Sequence, residues 1–261
     1  MKTTLTTLQK KKGKEKIAVI TAYDALFASI FDGEVDMILV GDSLSMSFGG
    51  HKDTIPLSFD DMLYHTKAVR RGVKESFLIA DMPFGSYNTT DEALKNATRL
   101  YKEGGADAIK IEVGESKIEM VEKLVDNGIA VMPHIGLKPQ FYRFEGGYKI
   151  KGKSQNEAEE MLSLALELEK SGAFGFLIEG TKKEVAENLT NKLSAFTIGI
   201  GSGVGCDGQV LVWSDAFGFF DEFTPKFVRK YLNGKELLKD AIRAYARDIK
   251  EGKFPNDNES Y

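Results

Sequence analysis

Residues 107–135 read DAIKIEVGESKIEMVEKLVDNGIAVMPHI, and this stretch decides the fold. It holds two short apolar runs, DAIKIE (107–112) and IAVMPHI (129–135), separated by a longer amphipathic segment. Short runs rich in β-branched residues suit strands buried on both faces. Two such strands joined by a segment of this length need a crossover connection and are therefore parallel.

The same alternation continues in both directions. Upstream lie IAVIT (17–21), DMILVG (36–41) and FLIAD (77–81); downstream lie FGFLIE (174–179), AFTIGIG (195–201) and QVLVWSD (209–215). Helix signals fill the gaps. Asp24 is placed to cap ALFASIF, and Ser58 with Asp61 resembles a capping box ahead of MLYHTKAVRRG, which Gly72 stops. Thr90 or Asp91 is placed to cap EALKNATRLYKEG, which Gly104 closes. Ser154 with Glu157 forms a second box for a helix running to Lys170, followed by helices over 182–191 and 234–250. Eight strands alternating with helices in 261 residues predict a single (β/α)8 TIM-type barrel of the α/β class. A miscounted strand would leave an open doubly wound sheet as the alternative. No composition break, repeat or low-complexity linker interrupts the pattern. Residues 1–261 therefore read as one catalytic domain, with a short N-terminal extension and a peripheral tail from about 254.

Composition narrows the function classes. Basic and acidic residues number 35 and 39, a net charge of -4, which disfavours a nucleic-acid partner. The lysines from Lys10 to Lys16 read as solvated surface rather than a nucleic-acid arm. They precede no apolar stretch of signal-peptide length, and no window has the long uncharged run of a membrane span. The one cysteine, Cys206, cannot form an intrachain disulfide. A cytoplasmic protein without a membrane partner is the expectation.

The apolar runs end in chemistry. The second closes on Gly41-Asp42-Ser43, the third on Asp81, the fourth on Lys110-Ile-Glu112, the fifth on His134 and the sixth on Glu179. In a barrel these ends open on the one face where active sites are built. A single acid there could simply cap the next helix; five reactive ends in succession point to a site. Asp42, Asp81 and Glu112 offer hard oxygen ligands with no cysteine cluster, which suits Mg²⁺ better than Zn²⁺. Lys110 shares a strand face with Glu112 and can hold a substrate carboxylate. Glu179, two strands beyond Glu112, stands across the mouth as a candidate general base, and His134 can orient or protonate the reacting oxygen. His65 and His51 look weaker, as packing and loop residues. The stretch GIGSGVGCDGQ (199–209) does not fit the dinucleotide pattern and reads as a tight loop, with phosphate binding the alternative.

The segments TAYDALFA, VGDSLSM, MLYHTKAVRRG, ADMPFGSY, AIKIE, HIGLKPQ, GGYKIKG, TIGIGSG and CDGQVLVWSDAFG, in this order, resemble the ketopantoate hydroxymethyltransferase family. The resemblance runs from about Leu8 to about Arg247. It implies a Mg²⁺-dependent transferase of pantothenate biosynthesis. Such enzymes move a hydroxymethyl group from methylenetetrahydrofolate to 3-methyl-2-oxobutanoate, giving 2-dehydropantoate through an enolate. Carried over residue by residue, Asp42, Asp81 and Glu112 serve the metal, while Ser43 and Lys110 bind the ketoacid beside Asp42 and Asp81. Glu179 becomes the proton acceptor. The resemblance also implies a homodecamer of two stacked five-membered rings. The departures are Gly180-Thr181-Lys182-Lys183 after the base, Phe196 for a usual proline and Ser202 for a usual alanine. A related barrel lyase or mutase acting through an enolate of another 2-oxoacid is the nearest rival. A noncatalytic scaffold would lack the strand-end acids.

Overall fold

The computed structural model describes residues 2–220 and 224–261. Its strands are β1 (Ile17–Thr21), β2 (Met37–Val40), β3 (Phe77–Asp81), β4 (Ala108–Glu112), β5 (Val131–Gly136), β6 (Gly175–Glu179), β7 (Phe196–Ile200) and β8 (Gly208–Leu211). They form a closed barrel in sequence order, with every neighbouring pair parallel and β8 returning to β1. The helices are α1 (Leu5–Lys11), α2 (Ala25–Phe31), α3 (Leu44–Ser47), α4 (Phe59–Gly72), α5 (Thr90–Lys102), α6 (Ile118–Asp126), α7 (Tyr142–Glu145), α8 (Gln155–Lys170), α9 (Lys183–Lys192), α10 (Trp213–Ala216) and α11 (Gly234–Lys250). The chain divides into two compact units, Met1–Val212 with the whole barrel and Trp213–Tyr261 with α10 and α11. Within the second unit Trp213 packs edge-on against Phe219, and Gly234 N donates to Phe217 O. No helix among the described residues is long and apolar enough to cross a membrane.

Alternation along the strands sorts side chains between the barrel interior and the helix layer. Ile17 and Val19, Met37 and Leu39, Phe77 and Ile79, Phe196 and Ile198 form one buried cluster with Ala108, Met132, Leu177 and Val210. Leu8 of α1 is fully buried in that cluster, so the predicted N-terminal extension is part of the core. Burial of one such leucine contributes about 1.5–3 kcal/mol. The lysine run is solvated as expected at Lys10, Lys14 and Lys16, while Lys11 and Lys12 are half-buried, and three of the five make specific contacts. Lys11 pairs with Asp36 at 2.7 Å, Lys12 with the buried Asp207 at 2.8 Å, and Lys16 donates to Cys206 O.

Local differences from the sequence reading have simple causes. Thr89, not Thr90 or Asp91, caps α5 by accepting Glu92 N–H, and the left-handed residue after that helix is Gly105. Ser58 and Ser154 cap α4 and α8 as expected, yet neither box closes. The Asp61 carboxylate is too short and takes the Ser58 hydroxyl, while Glu157 accepts from Lys153 N–H instead. A Cβ at Gly72 would lie 2.4 Å from Ala25 O, so this glycine allows α4 to approach α2 rather than turning the chain. The last strand stops at Leu211, and the end of the run QVLVWSD, from Trp213, belongs to the helix Trp213–Ala216. The glycine loop after β7 is a tight connection: a Cβ at Gly203 would lie 2.6 Å from Lys183 Cβ, and one at Gly208 would lie 2.4 Å from Ile17 O.

Candidate active site

The interior positions at the C-terminal strand ends turn from apolar to ionisable. Two steps above Ile79 the inward residue of β3 is Asp81; above Ala108 on β4 come Lys110 and Glu112; above Met132 on β5 comes His134; above Leu177 on β6 comes Glu179. Register then makes neighbours of complementary groups, because Asp81 pairs with Lys110 and Glu112 with His134. Gly41 brings the chain over the end of β2 into a turn where a Cβ would meet Ser43 Oγ at 2.8 Å. That turn sends Asp42 N–H to Asp81 Oδ2 at 2.8 Å and holds Ser43 Oγ 2.7 Å from Tyr23 Oη.

These contacts form a chain across the mouth. Lys110 Nζ lies 3.2 Å from Asp81 Oδ2 and 3.3 Å from His134 Nδ1. His134 Nδ1 is also 3.7 Å from Glu112 Oε1, and its Nε2 is 3.4 Å from Glu179 Oε2, although off the line of a hydrogen bond. An ammonium cannot accept, so its closer contact assigns the lone pair to Nδ1 and the imidazole hydrogen to Nε2, facing Glu179. All the proposed site residues therefore converge. His65 and His51 do not: His65 Nδ1 meets Tyr23 O at 2.6 Å, and His51 is exposed in its loop.

Burial sets the protonation pattern. It drives His134 well below its ordinary value, helped by Lys110 and Lys138, so the ring is neutral. It pushes Asp81 up to about 7, opposed by Lys110 and reinforced by Asp42. Glu112 rises well above the carboxylate range through burial and then Asp42. Glu179 rises to about 8 through burial, opposed by Lys110 and reinforced by Asp42 and Asp81. Burial lowers Lys110, but Asp81, Asp42 and Glu112 outweigh it and keep the ammonium charged.

A divalent cation fits this donor set. Asp81 Oδ1 is buried without a hydrogen-bond partner, and crowded carboxylate oxygens are what a hard cation selects. Among the described residues no three His, Cys, Asp or Glu side chains already converge as a complete metal cluster. Both oxygens of Glu112 accept Gln140 N–H at 3.2 Å, which leaves Asp42 and Asp81 as the more available donors.

Three contributors escaped the sequence reading. Gln140 is buried and bridges Asp42 to Glu112. Tyr87 donates its hydroxyl to Gln140 Oε1. Lys138 donates to Val113 O at 3.1 Å and adds a second cation near His134. The available signal was the loop Lys138-Pro139-Gln140 directly after β5, since polar residues following a reactive strand end fall on the mouth.

The raised carboxylates make a testable statement about stability. A carboxyl whose folded value is raised binds its proton more tightly in the native chain, so it stabilises the fold below the ordinary carboxylate range. That contribution is lost as pH rises through about 7 for Asp81 and about 8 for Glu179. The metal-free protein should melt at a higher temperature at pH 5 than at pH 8.5, by about 2–4 °C per kcal/mol lost. Added Mg²⁺ should narrow the difference. A melting temperature that climbs across this window would contradict the electrostatic picture.

A closed parallel barrel with ionisable side chains gathered at its C-terminal strand ends defines the class, a (β/α)8-barrel enzyme. The chain belongs to the ketopantoate hydroxymethyltransferase family, which residues 2–257 match. It is 62% identical to the 3-methyl-2-oxobutanoate hydroxymethyltransferase of Helicobacter hepaticus, over 100% of this chain and 98% of that one. It is 58% identical to the protein of the same name from Wolinella succinogenes, over 99% and 98%. Among solved structures, phosphonopyruvate hydrolase in complex with oxalate and Mg²⁺ is similar, with a TM-score of 0.62 and 14% identity over 99% of this chain and 93% of that one. At that identity the likeness speaks for the fold.

Proposed function

We propose that this enzyme transfers a hydroxymethyl group from methylenetetrahydrofolate to 3-methyl-2-oxobutanoate, giving 2-dehydropantoate in pantothenate biosynthesis. Family membership supports the reaction, and the division of the mouth supports the mechanism. Lys110 lies among carboxylates on one side, while Glu179, 19% exposed and raised to about 8, lies beyond His134 on the other. A carboxylate with a value near neutral pH is suited to take a proton from carbon.

In this reading Lys110 binds the ketoacid carboxylate and Ser43 adds a hydroxyl contact. Glu179 removes the C3 proton of the ketoacid, and His134, with Nε2 3.4 Å from Glu179 Oε2, stands beside that carboxylate and would donate to it after a small reorientation. The enolate carbon then forms the new bond to the one-carbon unit of the folate, the C–N bonds that held that unit break, and water supplies the hydroxyl group. Tetrahydrofolate leaves with its nitrogens reprotonated by the hydrogens given up by C3 and water. Asp42 and Asp81, with Glu112 behind them, would hold Mg²⁺. When bound, the cation supplies Lewis-acid stabilisation of the negative charge developing on the 2-oxo oxygen. The buried mouth keeps bulk water from quenching the carbanion. A decamer of two five-membered rings belongs to the same reading, and native mass spectrometry giving another mass would remove that part of it.

The direct test incubates the purified protein with 3-methyl-2-oxobutanoate, methylenetetrahydrofolate and Mg²⁺ and looks for 2-dehydropantoate. Turnover of the ketoacid without folate would favour a lyase or mutase instead. Lys110→Ala tests substrate recognition. A charge-assisted contact contributes roughly 1.5–3 kcal/mol, so KM for the ketoacid should rise more than about tenfold, with KM for the folate changing less. An unchanged ketoacid KM would assign Lys110 another role.

A further inference from the structure

Gln140 follows Pro139 in the short turn after β5 and is 3% exposed. Every polar atom of its side chain is engaged. Nε2 donates to Asp42 Oδ2 at 2.9 Å and to Met82 O at 3.0 Å, and Oε1 accepts from the Tyr87 hydroxyl. Its backbone N–H is shared between the two oxygens of Glu112 at 3.2 Å each. The amide has one permissible orientation, because Met82 O can only accept and must face the NH₂ group. Tyr87 is itself fixed: it is buried, and Lys117 Nζ bonds its backbone oxygen at 2.9 Å and sits over its ring. One residue thus ties the loop beyond β5 to the ends of β2, β3 and β4.

We propose that Gln140 is a positioning residue that sets the direction of the Asp42 and Glu112 carboxylates toward a divalent cation, with Tyr87 acting through its amide. This rests on the metal-dependent reading above. By occupying Asp42 Oδ2, the amide leaves the other carboxylate oxygen of Asp42 as the donor available to the cation. By holding both Glu112 oxygens on one backbone hydrogen, the turn fixes the direction of that side chain beside His134. The unliganded chain thereby keeps these carboxyl groups directed before a cation arrives. Neither Gln140 nor Tyr87 needs to touch substrate for this role.

The test measures Mn²⁺ affinity of metal-free protein by calorimetry, beside thermal melting and C3 hydrogen exchange of the ketoacid at saturating Mn²⁺. Gln140→Met keeps the length and removes the amide, so Mn²⁺ affinity should fall roughly tenfold or more. Exchange at saturating Mn²⁺ should recover to within a few-fold of wild type, because bound metal then orders the carboxylates. Tyr87→Phe should weaken Mn²⁺ binding by a smaller factor. In the double variant Tyr87→Phe adds no further loss, since the hydroxyl has nothing left to orient. Native Mn²⁺ affinity in a folded Gln140→Met protein overturns the proposal, as do additive losses in the double variant or a wild-type protein that binds no Mn²⁺. Should Gln140→Met fail to fold, Tyr87→Phe decides: weaker Mn²⁺ binding at native melting temperature supports the role, and unchanged binding overturns it. A wild type that binds Mn²⁺ but exchanges no ketoacid hydrogen would instead refute the proposed reaction, leaving the affinity result to judge Gln140.

Discussion

Glu179→Gln should lose roughly 10²–10⁴-fold in the rate of exchange of the C3 hydrogen of 3-methyl-2-oxobutanoate with deuterated solvent, the range expected for removal of a general base. The substitution keeps size and hydrogen bonding but cannot accept a proton. Exchange reports enolisation alone and needs no folate, so the result isolates the base from the later condensation. Mg²⁺ and ketoacid affinities should remain near native, because Glu179 meets His134 Nε2 at 3.4 Å rather than the Asp42–Asp81 contact. Exchange at the wild-type rate would remove Glu179 as the base and make His134 the next candidate. That role would be hard for it to fill, since its low proton affinity makes it a poor acceptor. A collapse of metal affinity would put Glu179 among the cation ligands and dissolve the two-sided mouth.

The second large effect concerns the carboxylates. Asp42→Ala together with Asp81→Ala should abolish Mg²⁺-dependent turnover in chelator-treated protein while the barrel stays folded. The fold should survive because the core cluster lies below these residues and neither belongs to it. Relief of repulsion around Glu112 should even offset part of the lost hydrogen bonding, since Asp42 raises Glu112 toward its neutral form. Lys110 loses its salt bridge to Asp81 in this variant, so folding must be checked by circular dichroism before the activity is read. Native turnover after chelation would sink the metal assignment.

The sequence by itself determined a parallel α/β fold, because short apolar runs separated by amphipathic segments admit few other arrangements; eight of them favoured the barrel over an open sheet, and closure of β8 onto β1 settled it. It also put the strand-end acids, lysine and histidine at the mouth. A side chain two positions beyond a buried interior residue must point the same way, which puts Lys110, Glu112, Asp81, His134 and Glu179 on the inward face of their strands. Helix caps were legible to within a residue, as Thr89 illustrates, since neighbouring threonine and aspartate compete for one position.

Tertiary structure alone decided how those groups are coupled. Barrel closure and register paired Asp81 with Lys110 and Glu112 with His134, and no local pattern encodes which strand ends become neighbours. The neutrality of His134 and the raised values of Glu179 and Glu112 come from burial, which is a property of the closed mouth and not of any segment. Lys11 and Lys12 read as part of a solvated run because sequence does not reveal that Asp36 and Asp207 lie within reach. The sequence could place Gln140 near the mouth but not give its role: its partners Asp42, Met82, Tyr87 and Glu112 are 28 to 98 residues away, and only folding brings their oxygens around it.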